Sequence, residues 1–149
     1  MKIAHNVKLS VFAYEEEDAE AIRQKLLELV PLDLEQEKLE LKQTNATGFQ
    51  ERKIMIYEIL LEKERHTTKF LAHLKERLSQ DQRSLLLKQA ESRLDQDIDF
   101  FIRLDKQRLL QDSEFWITDS GDCFHIRISV AAYPANREAG LKVVEEWLA

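Results

Sequence analysis

The stretch CFHIRISV, Cys123–Val130, sets Phe124, Ile126, Ile128 and Val130 at every second position, with His125, Arg127 and Ser129 between them. A period of two is the mark of a half-buried strand, because successive side chains leave opposite faces of the pleat. DIDFFIRL, residues 97–104, repeats the pattern, with Ile98, Phe100, Ile102 and Leu104 inward and Phe101 and Arg103 outward. Two strands that bury an apolar row and hold an arginine opposite belong to a sheet with one covered face and one open face.

Working outward, IAHNVKLSVFAY at residues 3–14 alternates Val7, Leu9, Val11 and Ala13 with Lys8, Ser10, Phe12 and Tyr14, another strand. EEEDAEAIRQKLLELV, residues 15–30, opens with acids suited to a helix N-terminus and stripes Ala19, Ile22, Leu26, Leu29 and Val30 before Pro31 stops it. EKLELKQ at 37–43 reads as a short strand, TNATG at 44–48 as a turn, and RKIMIYEILLEK at 52–63 as a longer strand completing a hairpin. Between residues 64 and 96 the period becomes helical, and Ser79 with Gln82 has capping-box spacing, so two helices are expected there. Residues 105–122 read as a linking segment with a turn at Ser120, Gly121 and Asp122. Asn136 is placed to cap the closing amphipathic helix REAGLKVVEEWL. Strands interleaved with helices, with hairpin-like neighbours, predict an α+β single domain over residues 1–149: a mainly antiparallel sheet of about five strands with helices on one face.

The chain has 149 residues, 44% hydrophobic and 34% charged, enough for an ordered core without metal or disulfide support. No run of about 18 apolar residues exists to span a bilayer, and the alternating start is no signal peptide, so a soluble cytoplasmic protein is expected. Cys123 is the only cysteine and lies within a strand pattern. The net charge is −6, but it is uneven: residues 1–62 carry 8 Lys+Arg against 13 Asp+Glu, residues 63–96 carry 8 against 5, and residues 97–149 carry 6 against 10. Only the middle third is basic.

Catalytic signals are weak. Asp95, Asp97 and Asp99 alternate as in a calcium loop, yet Phe100 stands where glycine is needed and no glutamate follows at the right distance. His5, His66, His73 and His125 have no ligand spacing, and no phosphate loop or nucleophile elbow is present. No catalytic residue, metal ligand or cofactor is therefore assigned.

Two basic surfaces remain. Strand parity gathers Lys8, Phe12, Tyr14, Lys38, Lys42, Phe101, Arg103, His125 and Arg127 on the open face, diluted by Glu40 and Asp99. Cations mixed with aromatics hold single-stranded RNA, charge taking phosphate and rings taking bases. Lys106 and Arg108 follow Arg103 closely and extend the expected path, with Phe101 stacking a base. The alternative for the arginines is pairing with Asp99, Asp105 or Glu40. The second surface is the helix face carrying Arg65 and Lys69, opposite Phe70, Leu71 and Leu74.

RLDKQ, residues 103–107, and HIRISVAAYPANRE, residues 125–138, resemble an archaeal family of small proteins known as predicted exosome subunits or RNA-binding proteins. Asp105, Lys106, Gln107, Tyr133, Pro134 and Arg137 carry the resemblance, which spans nearly the whole chain and departs at GFQERK, residues 48–53. It implies a fold similar to the ribosomal protein that binds 5S RNA, RNA as partner, and association with the exosome or RNA-processing proteins; it implies no catalysis. The expected function is non-catalytic RNA binding through Lys8, Arg65, Lys69, Phe101, Arg103, Lys106, Arg108 and Arg127. The alternative is a protein-interaction module or homodimer in which Phe12, Tyr14 and Phe101 make the contact.

Overall fold

The computed structural model describes residues 2–119 and 121–149. Strands β1 (Ala4–Tyr14), β2 (Leu41–Thr47), β3 (Lys53–Leu61), β4 (Asp99–Asp105) and β5 (Cys123–Val130) form one sheet in the order β2-β3-β1-β5-β4. Every neighbouring pair is antiparallel. Helices α1 (Ala19–Leu29), α2 (Glu64–Arg77), α3 (Gln80–Lys88), α4 (Ala90–Arg93), α5 (Lys106–Asp112) and α6 (Arg137–Leu148) complete the α+β fold.

The alternation read from the sequence sets the layers. Val7, Leu9, Val11 and Ala13 of β1, Phe124, Ile126 and Ile128 of β5, and Phe100, Ile102 and Leu104 of β4 are all buried. Against them pack Ile22 and Leu26 of α1, Phe70, Leu71 and Leu74 of α2, Leu86 of α3 and Val144, Trp147 and Leu148 of α6, in one core cluster. Each such aliphatic or aromatic side chain contributes roughly 1.5–3 kcal/mol on burial, so this face holds the domain together. The opposite face is left half-exposed.

Caps mark the helix starts. Asp18, Ser79, Asp105 and Asn136 accept the amides of Ala21, Gln82, Arg108 and Ala139 respectively. Only half of the expected capping box forms at Ser79, because the Gln82 carboxamide oxygen instead accepts the Ile117 amide at 2.7 Å. A buried tertiary bond has displaced a local one.

Several boundaries differ from the sequence expectation. TNAT continues β2 rather than turning, since residues 44–47 pair with 53–56 of β3, and the reversal falls at Gly48–Arg52, where the Gly48 amide bonds the Arg52 carbonyl. Lys38 lies in the preceding loop with φ 57°, not in a strand. Ile98 is outside β4, at φ 64° and half-buried, because the Asp95 carboxylate draws the amides of Asp97 and Asp99 into a tight turn. The linking segment begins with α5, and α4 adds a further helical turn after α3. Of the turn expected at Ser120, Gly121 and Asp122, Ser120 lies outside the described residues.

Candidate nucleic-acid interface

Cross-strand register builds the open face in rows. Phe101 on β4 lies opposite Arg127 on β5, Arg127 opposite Lys8 on β1, and Lys8 opposite Leu60 on β3. The next row runs Arg103, His125, Ser10, Glu58 and Lys42. Arg103 and Arg127 therefore sit on one face as diagonal neighbours, a spacing of about 7–8 Å between their backbones.

Their partners are informative. Lys8 pairs with Glu58 at 2.7 Å, so its charge is largely met within the sheet. Arg103 donates its Nε to His125 Nε2 at 3.1 Å, which places the imidazole proton on Nδ1. Burial, then the Arg103 charge, holds His125 below its ordinary pKa, consistent with a neutral ring that accepts this bond. Phe101 meets the His125 ring edge-on at 6.4 Å. Among the described residues neither Arg103 nor Arg127 has a carboxylate within 4.0 Å, so the pairing with Asp99, Asp105 or Glu40 does not form. Asp99 feels Arg127 only at longer range; burial and Asp95 push its carboxyl up and outweigh that attraction.

Arg127 Nε is buried with no hydrogen-bond partner among the described residues. Asn6 Oδ1, Arg83 Nε and His66 Nδ1 are in the same condition, whereas His66 Nε2 lies 3.5 Å from Glu37 Oε2; only Arg127 combines it with a position amid Lys8, Arg103 and Phe101. A buried charged donor left unsatisfied is costly, on the order of 1–3 kcal/mol or more.

Lys106 overturns the expected path. It is fully buried rather than lined up beside Arg103, with Nζ 2.7 Å from the Phe12 carbonyl, 2.7 Å from Asp122 Oδ1 and 3.1 Å from Glu17 Oε1. Its ammonium also lies 5.2 Å from the centre of the Tyr14 ring. The reason was present in the parity: Phe100, Ile102, Leu104 and Lys106 all fall on the core side. Arg108 also leaves the path, stacked 4.0 Å over the Trp116 ring and paired with Glu114 at 3.2 Å. Arg65 is paired with Glu37 at 2.8 Å, and Arg65 and Lys69 are carried by α2 in the helical layer rather than by a strand of the sheet.

Arg93 carries a role that sequence reasoning missed. It is buried and donates to Gln89 Oε1, to the Phe101 carbonyl and to Asp119 Oδ1, the last at 2.9 Å. Of the residues that carry the family resemblance, Asp105 and Arg137 join Lys106 as scaffold. Asp105 caps α5, and Arg137 donates to the carbonyls of Leu94 and Glu91. Gln107, Tyr133 and Pro134 are exposed. Among the described residues no group of three His, Cys, Asp or Glu side chains is placed to hold a metal ion.

A five-stranded antiparallel sheet, covered by helices on one face and cationic and aromatic on the other, is a form suited to holding an extended polyanion. The chain belongs to the RNA-binding family whose model matches residues 6–130. It is 32% identical over 145 residues to the RNA-binding protein PAB1135 of Pyrococcus abyssi, covering 97% of this chain and 94% of that protein. Among solved structures it is similar to protein AF2318 from Archaeglobus fulgidus, with a TM-score of 0.85 and 27% identity over 98% of this chain and 99% of that one. Mth689 from Methanothermobacter thermautotrophicus follows with a TM-score of 0.78 and 25% identity over 99% of both chains.

Proposed function

We propose that the protein binds RNA on the open face of its sheet without cleaving it, Arg127 and Arg103 receiving phosphates and Phe101 supporting a base. The observation that carries this reading is Arg127, whose Nε is buried without a partner while no carboxylate approaches the guanidinium. Family membership and the likeness to an RNA-binding protein of Pyrococcus abyssi support the ligand class. The archaeal family that RLDKQ and HIRISVAAYPANRE resemble is linked to the exosome, which supports a cytoplasmic role beside RNA-processing proteins. Lack of catalysis fits the Asp95 carboxylate, which is committed to two backbone amides of its own turn.

A specific observation favours a second reading. Phe12 and Leu60 are each 43% exposed on this face, with Ile54 and Ile56 half-buried beside them, which suits a protein partner or a second copy. One experiment separates the two. Arg103→Ala/Arg127→Ala should weaken RNA binding by more than tenfold, as expected for two lost charge-assisted contacts, and reduce the salt slope by about 2, with little change in melting temperature. A double variant that binds RNA as the parent does but melts markedly lower would make these arginines scaffold and favour the apolar interface.

A further inference from the structure

Beside the arginine rows lies a cleft of about 470 Å³ lined by Ser10, Phe12, Tyr14, Arg103, Cys123 and His125. Its size falls within the range of small-ligand sites. We propose that this cleft receives one unpaired nucleotide of a bound RNA, with its phosphate on Arg103 and its base on Phe12, so that the protein selects single strands over duplex. The proposal rests on the RNA reading above and specifies the form of RNA.

The floor is prepared for a phosphate. His125 takes up only the Nε of Arg103, and the two terminal amino groups of that guanidinium have no hydrogen-bond partner among the described residues. They form the fork that binds phosphate oxygens in pairs. Phe101 against His125, and His125 against Arg103, make a chain of contacts that fixes the direction of the fork.

Acidic residues at the rim would repel a phosphate, but each is answered by a buried cation. Asp119 is held by Arg93 at 2.9 Å and Asp122 by Lys106 at 2.7 Å. The unanswered charge facing the cleft is that of Arg103. Lys106 also braces one wall by donating to the Phe12 carbonyl. Buried Lys106 is thus a positioning residue for this cleft.

The aromatic wall offers a single free platform. Tyr14 is covered by the Arg52 guanidinium at 4.0 Å and meets Phe12 edge-on at 6.4 Å, whereas Phe12 keeps 43% of its surface in solvent. A base stacked on a phenyl ring must first be unstacked from its own neighbours. Single strands meet that condition, and the paired bases of an A-form duplex do not.

The test compares a labelled ten-nucleotide single-stranded RNA, the matching duplex and free uridine monophosphate, by anisotropy and competition, using the parent, Phe12→Ala and Phe12→Trp. The parent should prefer the single strand by about tenfold or more, Phe12→Ala should remove about that factor for the single strand alone, and Phe12→Trp should restore it. Equal affinity for both RNAs with no effect of Phe12→Ala, while Arg103→Ala/Arg127→Ala still weakens both, would overturn the cleft and leave RNA binding intact. Absence of binding to either RNA would defeat the RNA reading itself. Uridine monophosphate competing as well as the oligonucleotide at equal concentration would make a free nucleotide the ligand and overturn the selection of strands.

Discussion

Replacing Lys106 with methionine removes one ammonium and three of its contacts while keeping a flexible apolar stem in the same space. Breaking a buried ion pair by deleting one partner costs about 3–5 kcal/mol, because the other charge stays behind unpaired. Here the two carboxylates differ: Asp122 is 41% exposed and regains water, whereas Glu17 is 17% exposed and regains little. The Phe12 carbonyl also loses its 2.7 Å donor. The loss should therefore fall near the lower end, about 3 kcal/mol. For a chain of this length that lowers the melting temperature by roughly 6–12 °C. Urea titration at neutral pH should show a lower midpoint with an unchanged slope, the signature of lost stability within the same fold. Adding Glu17→Gln to Lys106→Met should recover part of the loss, since the stranded charge is then gone. A Lys106→Met protein melting within about 2 °C of the parent would refute the reasoning and return Lys106 to the surface.

Further outcomes follow from the same geometry. Arg65→Gln/Lys69→Gln should leave RNA affinity within about twofold of the parent in filter binding, because both residues stand on the helical side; a uniform drop across RNA sequences would move the interface there. Burial, aided by Arg77 and Arg103, holds His73 and His125 below their ordinary value of 6.5, so the unfolded chain takes up the protons first. Stability should be full above about pH 6.5 and decline as pH falls below it, and His73→Gln/His125→Gln should flatten that decline in denaturation at pH 7 and pH 5. A Cβ on Gly140 would collide with Ile98 Cγ2, where α6 crosses the turn before β4, so Gly140→Ala should lower stability by about 1–3 kcal/mol in the same titration. Incubation with RNA and magnesium should give no cleavage; degradation abolished by Asp97→Asn or Asp99→Asn would show a catalytic function instead.

The placement of the arginines needed more than periodicity. Arg103 and Arg127 were legible as outward because each sits between buried neighbours in an alternating run. That they would be diagonal rather than opposed depends on β4–β5 register, which puts Phe101 against Arg127 and His125 against Arg103. Register follows from the packing of whole strands, and no single strand contains it.

What the sequence by itself determined was local and periodic: which strand faces are apolar, where Ser79 and Asn136 begin helices, and hence a mainly antiparallel sheet covered on one side. These follow from the pleat and the helical turn, which act over a few residues. Even the burial of Lys106 was written in the parity of Phe100, Ile102 and Leu104, although a charge at that position invited the opposite reading. Only the tertiary structure could supply its partners, because Glu17 stands 89 residues away and the Phe12 carbonyl 94. A buried ammonium is tolerable only where oxygens converge on it, and that convergence exists once β1, the loop carrying Glu17 and the start of β5 have come together. The same assembly shapes the cleft, so the candidate site belongs to the fold even though each residue in it belongs to the sequence.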